Sequence, residues 1–444
     1  MKRLQQIKFE SCYLFLALFF GIAFVFITPP NATPDEIAHQ VKIVRVAQGN
    51  FFGADKQLAL PDISNWYGPL GNSKMLTPPY NITGDEIKEV ILKPIVCAKE
   101  TTKSNDGITS YSPLPYVLSA INYKVSCSLK VSFGTYLYSS RIVALLWTIL
   151  IVFAAMKIAP NLKFAFFTIA MLPAVLYQFS AIAADSFLIS LTMLYCSYIS
   201  RYLNHNNKKD IIMIFIIGMA LCFSKPSYAW IVFLTLPVIL AKENKLKSTT
   251  YISRVFFLIL LPVLLHLVLL VASKGSAPHV VHVEENIEYL KQNPLSLLSE
   301  IYHTPSFFPF GTQWNLYESL IGKLGWLTIP LPKWCYYLAA INFLILLFIG
   351  RRASYSTSSN FMILVSILSI IPVCLPLYLY ATNQPYPAVF GLQGRYFIPS
   401  VIILFTGLTA IFQTRYENHL HKFLVLSVLS ISFSALLAVF KGFY

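Results

Sequence analysis

Apolar stretches of about 17 to 25 residues recur along the whole chain, and their length decides what it can fold into. A helix rising about 1.5 Å per residue needs about 20 such residues to cross a hydrocarbon layer about 30 Å thick. The runs do not alternate in polarity, as the strands of a membrane barrel would, so helix is the spanning form. Hydrophobic residues make up 56% of the 444 and charged residues 12%, more apolar side chain than a soluble core of this size takes up. The expected class is an all-α polytopic membrane protein, one integral membrane domain over residues 1–444.

Spans are expected at 11–27, 136–158, 163–181, 184–203, 211–224, 226–241, 252–272, 334–350, 360–380, 397–413 and 422–440, about eleven crossings, two of them short. The first follows Lys2, Arg3 and Lys8 and lacks a small-residue cleavage pattern, so it reads as a retained span. The net charge of +15 does not point to nucleic acid, because the basic residues gather in alternate short gaps, as the positive-inside rule requires. With the amino terminus cytoplasmic and an odd number of crossings, the carboxyl terminus is expected outside. Lys225 and Arg395 are then the exceptions, cations at the outer ends of spans.

Two long polar segments fall on the outer face, residues 28–135 and 273–333, and loops this long beside a membrane are usually functional. The first holds helical signals in "TPDEIAHQVKIVRVAQG" and "PLPYVLSAINYKVSCSL" and turn-rich stretches such as "TPPYNITGDE". Thr33 as cap, Pro34 at the first position and two acids next mark the start of a helix whose apolar face suits a membrane surface or the bundle. Cys97 and Cys127 lie within this loop, where an oxidising compartment permits a disulfide.

Asp35 and Glu36 emerge directly after the first span. Acids in a first helical turn offset the helix dipole, which alone would account for them. His39 follows Asp35 by four residues on the same helix face, so the two can share a proton, a metal ion or a substrate hydroxyl. As metal ligands, Asp35, Glu36 and His39 lack a second cluster. Tyr111 and Tyr116 belong to an aromatic stretch that fits a membrane interface equally well. Asp185 sits at the outer mouth of a span, as a cap or facing a partner. Lys225 either snorkels to the headgroups or meets a phosphate. Arg395, with Gln393, Gly394 and Tyr396, offers a planar fork suited to phosphate oxygens. Acids after the first span and cations at the ends of later ones suit a base acting on an acceptor hydroxyl beside a clamp for a lipid-linked phosphate.

Taken in order, "TPPNATPDEIAHQVKIVRVAQGN", "YSPLPYVLSAI", "SAIAADSF", "FSKPSYAWIV", "GKLGWLTIPLP" and "GLQGRYFIP" resemble the signatures of the bacterial membrane proteins called domain of unknown function 2142, over nearly the whole chain. "PDExxH" and "QGRYF" are the most specific parts. That family resembles the GT-C glycosyltransferases, multi-span enzymes that use polyprenyl-phosphate sugars. The resemblance implies a cell-membrane glycosyltransferase moving a hexose or pentose to a glycan or lipid-linked acceptor on the outer face. Asp35 would be the base, Glu36 the neighbouring acid, and Arg395 and Lys225 would face the lipid phosphate. A divalent metal would assist the leaving group, although the sequence does not demand one. The rivals are a polysaccharide polymerase or ligase, and a transporter or flippase of lipid-linked sugars. Transporters tend to place their charges mid-membrane, whereas the charged candidates of this chain lie at the outer edge.

Overall fold

The computed structural model describes residues 9–51, 63–97, 111–240, 248–272, 283–304, 316–349, 356–382, 384–385, 388–412 and 417–444. The cytoplasmic basic gap expected at residues 1–8, and much of the expected second outer loop, lie outside them. The fold is mostly helical, with one two-stranded antiparallel ladder pairing Lys323–Leu324 with Ile329–Pro330.

Helix α1, Phe9–Ile27, shows how the apolar runs divide their faces. Tyr13, Leu16, Ala17, Phe20, Gly21 and Phe24 recur at three- and four-residue spacing and are buried, while Phe15, Phe19, Ile22 and Phe26 are exposed on the other side. In a bilayer that outer stripe meets lipid. A Cβ at Gly21 would come within 2.5 Å of a Leu145 methyl, so the glycine lets α1 lie close against the later helix Phe133–Ile158.

Between these two, α2 spans Glu36–Ala47 and α3 spans Val117–Leu129. Phe133–Ile158 is α4. Helix α2 does not start at Pro34 under a Thr33 cap; Asp35 is the N-cap, and its side chain caps nothing. Nor does α2 lie on a membrane surface by its apolar face. It is enclosed over most of its surface, Ile37 and Ala38 staying part-exposed, with Lys42 and Arg45 buried along with the valines.

Among the described residues six helices are long and apolar enough to cross a membrane: Phe9–Ile27, Phe133–Ile158, Tyr251–Val268, Ser358–Tyr380, Gly394–Ile411 and Leu420–Phe443. A bent pair raises the number to seven. Six of the about eleven expected crossings, seven with the bent pair, thus stand by length and apolarity among the described residues, and each of the other five segments departs from a long straight apolar helix for a physical reason. The expected span 163–181 is two helices, α5 (Lys163–Ala170) and α6 (Pro173–Phe179), set at 86°. Pro173 cannot donate the backbone hydrogen bond that would continue α5, and instead opens α6. Helix α7, Ala184–His205, has the length but carries Asp185, Arg201 and a series of Ser, Thr and Tyr side chains. Lys209–Cys222 and Lys333–Leu346 have 14 residues each, and Pro226–Thr235 winds as a 3-10 helix ahead of a short α-helix.

The last helix, Glu417–Phe443, brings the end of the chain beside the end of α1. The Tyr444 hydroxyl donates to the Ile27 carbonyl at 3.2 Å, and Ile82 N–H donates to the Phe443 carbonyl at 2.8 Å.

Candidate functional site

The segment from Thr28 to Asp35 joins α1 to α2, and side chains from four other parts of the chain hold it. Arg141, fully buried in α4, donates to the carbonyls of Thr28 at 2.7 Å and Pro29 at 3.0 Å and to both carboxylate oxygens of Glu36 at 2.9 Å. Tyr177 of α6 donates to Ala32 O at 3.0 Å, and the Trp326 indole to Asn31 O at 2.8 Å. Asn31 Nδ2 donates to Leu70 O and to Asn72 Oδ1. Two residues of this segment, Asn31 (φ 61°) and Asp35 (φ 63°), adopt the left-handed conformation, which Asn and Asp tolerate better than most side chains. That kink turns two adjacent carboxylates to different places. Glu36 is fully buried against Arg141 and accepts from Thr33 Oγ1, whereas the Asp35 side chain is 53% exposed.

Asp35 stands at the rim of a charged centre assembled from distant parts of the sequence. Arg395 comes from the 3-10 turn Gly394–Phe397, Asp185 from the first turn of α7, and Lys225 from the residue before Pro226. The Arg395 guanidinium lies 3.9 Å from the Asp35 carboxylate and 3.9 Å from that of Asp185, and Lys225 Nζ donates to Asp185 at 2.7 Å. The Lys225 ammonium sits over the rings of Tyr396 (4.8 Å), Tyr111 (5.6 Å) and Tyr228 (5.9 Å), a cage that favours a cation out of water. Tyr228 is fixed by its hydroxyl on the Tyr396 carbonyl. Arg395 is buried, and its Nε has no hydrogen-bond partner. An orphaned guanidinium N–H is costly unless an acceptor arrives.

His39 completes the inner wall, its Nδ1 2.8 Å from the Tyr116 hydroxyl. Burial, the largest influence, pushes its pKa down to about 4, against the pull of Asp35 and Asp185 and with the push of Lys225 and Arg395. The unfolded chain takes up this proton near pH 6.5. The stability that neutral His39 contributes is thus complete above pH 6.5 and is lost as the pH falls toward 4. His39→Gln is expected to flatten that part of the profile, read as the melting temperature in detergent at pH 4.5 and 7.5. An unchanged pH difference would disprove a buried neutral imidazole.

Asp35, His39, Tyr111, Tyr116, Asp185, Lys225, Arg395 and Tyr396, which the sequence scatters over some 360 positions, thus come together. Glu36 does not join them. With its oxygens held by Arg141 and Thr33, it also breaks up the Asp35, Glu36 and His39 ligand set, and among the described residues no group of three His, Cys, Asp or Glu is placed to hold a metal ion. Gln393 precedes the Arg395 turn without capping it, and its Oε1 is buried without a hydrogen-bond partner. Lys225 does not snorkel, and Asp185 does not cap its helix. Cys97 and Cys127 are joined by a disulfide, their Cα atoms 5.7 Å apart. Sequence reasoning missed Arg141 and Tyr228; a cation inside the expected span 136–158 was the available signal for the first.

The turn that carries Arg395 packs tightly on the helix Leu316–Ile321. Gly394 N–H donates to Ser319 Oγ at 2.7 Å, and a Cβ at Gly394 would overlap the Leu316 carbonyl and the Leu320 nitrogen. Gly394→Ala is expected to cost about 1–3 kcal/mol through this overlap. The measurement is a melting temperature compared with that of Gly84→Ala, a position with an ordinary backbone and no neighbour within 4 Å.

The family model described as "Predicted membrane protein (DUF2142)" matches residues 18–404. The chain belongs to this family. The matched region takes in every charged residue of the centre, from Asp35 to Arg395. No curated protein and no solved structure matches the chain. As a DUF2142 protein it is a multi-pass membrane protein, with the lipid bilayer as its surroundings.

Proposed function

We propose that this DUF2142 protein is a glycosyltransferase of the cell membrane. It takes a hexose or pentose from a polyprenyl-phosphate donor and delivers it to a glycan or lipid-linked acceptor on the extracytoplasmic face. The observation that carries this reading is the placing of Asp35, a carboxylate open to water and unused as a cap, 3.9 Å from a buried arginine. One group can take a proton while the other meets a phosphate.

In the proposed reaction the acceptor hydroxyl attacks the sugar C1 and gives its proton to Asp35. The bond from C1 to the phosphate oxygen breaks, its electron pair leaves with the polyprenyl phosphate, and the configuration at C1 inverts. Arg395 and Lys225 meet the leaving phosphate. The charge gained there is matched by the charge lost at Asp35, so the total for the centre stays constant through the step.

A groove of about 240 Å³ beside the centre supports a donor carried on a lipid. Its walls include Leu118 of α3, Val143 and Trp147 of α4, and Ile182 and Phe187 around the start of α7. The hydroxyls of Tyr116, Thr148 and Ser186 along it are already bonded, to His39 and to backbone carbonyls. Such a wall suits hydrocarbon, and its volume suits part of a chain rather than a whole ligand. Of its lining, Ala183 and Ser186 stand within two residues of Asp185 and Tyr116 is bonded to His39, which sets the groove near the charges.

The test is incubation of the purified protein with a panel of radiolabelled polyprenyl-phosphate sugars and envelope glycan acceptors. The expected result is acceptor labelling with release of polyprenyl phosphate. Failure to consume any donor across a broad panel would overturn the reading.

A further inference from the structure

The geometry points to Asp185 as the residue that selects the headgroup by charge: it sets the buried anion site at a single positive charge, which suits a lipid-borne phosphodiester and disfavours a diphosphate. This rests on the reading of the centre as a phosphate site. The buried charged groups are Lys225, Arg395 and Asp185, two cations and one carboxylate. Tyr111, Tyr228 and Tyr396 around them are neutral phenols, and His39 is a neutral imidazole at pH 7. Asp35 is the next charge outward and lies half in water.

Asp185 does not merely balance its neighbours. Its carboxylate is bonded to Lys225 at 2.7 Å but stays 3.9 Å from Arg395, whose Nε is left without a hydrogen-bond partner. One cation is therefore satisfied within the protein and the other is held for an incoming acceptor. A singly charged phosphodiester brings the buried centre to neutrality. A diphosphate brings more than one negative charge into the same space and leaves an unpaired anion out of water next to Asp185 and Asp35, which is strongly unfavourable. Without Asp185 the buried site would carry two cations, with only the half-exposed Asp35 carboxylate near Arg395, and would favour the diphosphate.

The experiment compares farnesyl methyl phosphate, a singly charged diester, with farnesyl diphosphate, which has the same chain. Binding to the full-length protein in nanodiscs is measured, so no turnover is required. The wild type is expected to hold the diester on the order of tenfold or more tighter than the diphosphate. Asp185→Asn is expected to shift that ratio toward the diphosphate by at least about tenfold. The double variant Asp185→Asn with Lys225→Gln, which returns the site to one cation, is expected to restore the preference for the diester, and Asp185→Ser, which also removes the carboxylate, serves in place of Asp185→Asn if that variant does not fold. A wild type that prefers the diphosphate, or a ratio unmoved when Asp185 alone is replaced, would overturn the assignment. Equal competition by chain-free dimethyl phosphate would overturn its lipid-borne part. A protein that selects the diester yet transfers no sugar from any donor refutes the transferase reading alone.

Discussion

Asp35→Asn is expected to abolish sugar transfer while leaving the protein folded. Asparagine tolerates the left-handed backbone at φ 63° at least as well as aspartate, and the Asp35 side chain makes no cap bond whose loss would loosen α2. What disappears is the proton acceptor. Removal of a positioned general base typically costs about 10²–10⁴-fold in rate, so turnover should fall by that factor while the melting temperature holds. Donor affinity should change little, because Arg395 and Lys225 are untouched; a small tightening is expected as one negative charge leaves the rim. Full activity in Asp35→Asn would remove this carboxylate from the mechanism.

The neighbouring acid should behave in the opposite way. Glu36→Gln leaves Arg141 fully buried without its counter-charge, and breaking a buried pair from one side costs about 3–5 kcal/mol. Expression and melting temperature should drop sharply. Turnover per folded molecule should stay far closer to wild type than in Asp35→Asn, because Glu36 touches nothing that reacts. Replacement of Arg141 by Met should be worse still, since the carbonyls of Thr28 and Pro29 lose their donors as well as Glu36 its partner. A stable Glu36→Gln protein lacking activity would instead make Glu36 the base, against its burial.

How far these two residues differ could not be read from their adjacency. On an ideal helix, Asp35 and Glu36 point about 100° apart and both remain candidates; the left-handed turn at Asp35, imposed by contacts from α4, α6 and the segment around Trp326, sends one to water and the other inward. The grouping of Asp35, Asp185, Lys225 and Arg395 was legible because each stands at an end of an apolar run, and alternate ends of membrane helices fall on one side. Arg141 was not, because an apolar run hides a cation whose partner lies more than 100 residues away. Five of the expected crossings differ from long apolar helices in the structure for a related reason. Apolarity reports exclusion from water, and a segment enclosed by other helices is excluded from water as fully as one facing lipid.

The bend between α5 and α6 shows what that distinction means for biogenesis. Every residue from Phe164 to Ile182 is buried within the protein, in contact with α1 and α4, so this stretch never acquires a lipid-facing side. The backbone groups freed at the break find shelter among neighbouring helices and not in hydrocarbon. Such a bent pair presents no outward face that would favour lipid over its neighbouring helices. Its burial requires α1 and α4 beside it, and from that docked position Tyr177 reaches Ala32 and helps hold the loop bearing Asp35. The charged centre at Asp35 would then be completed last, as a step of maturation after insertion.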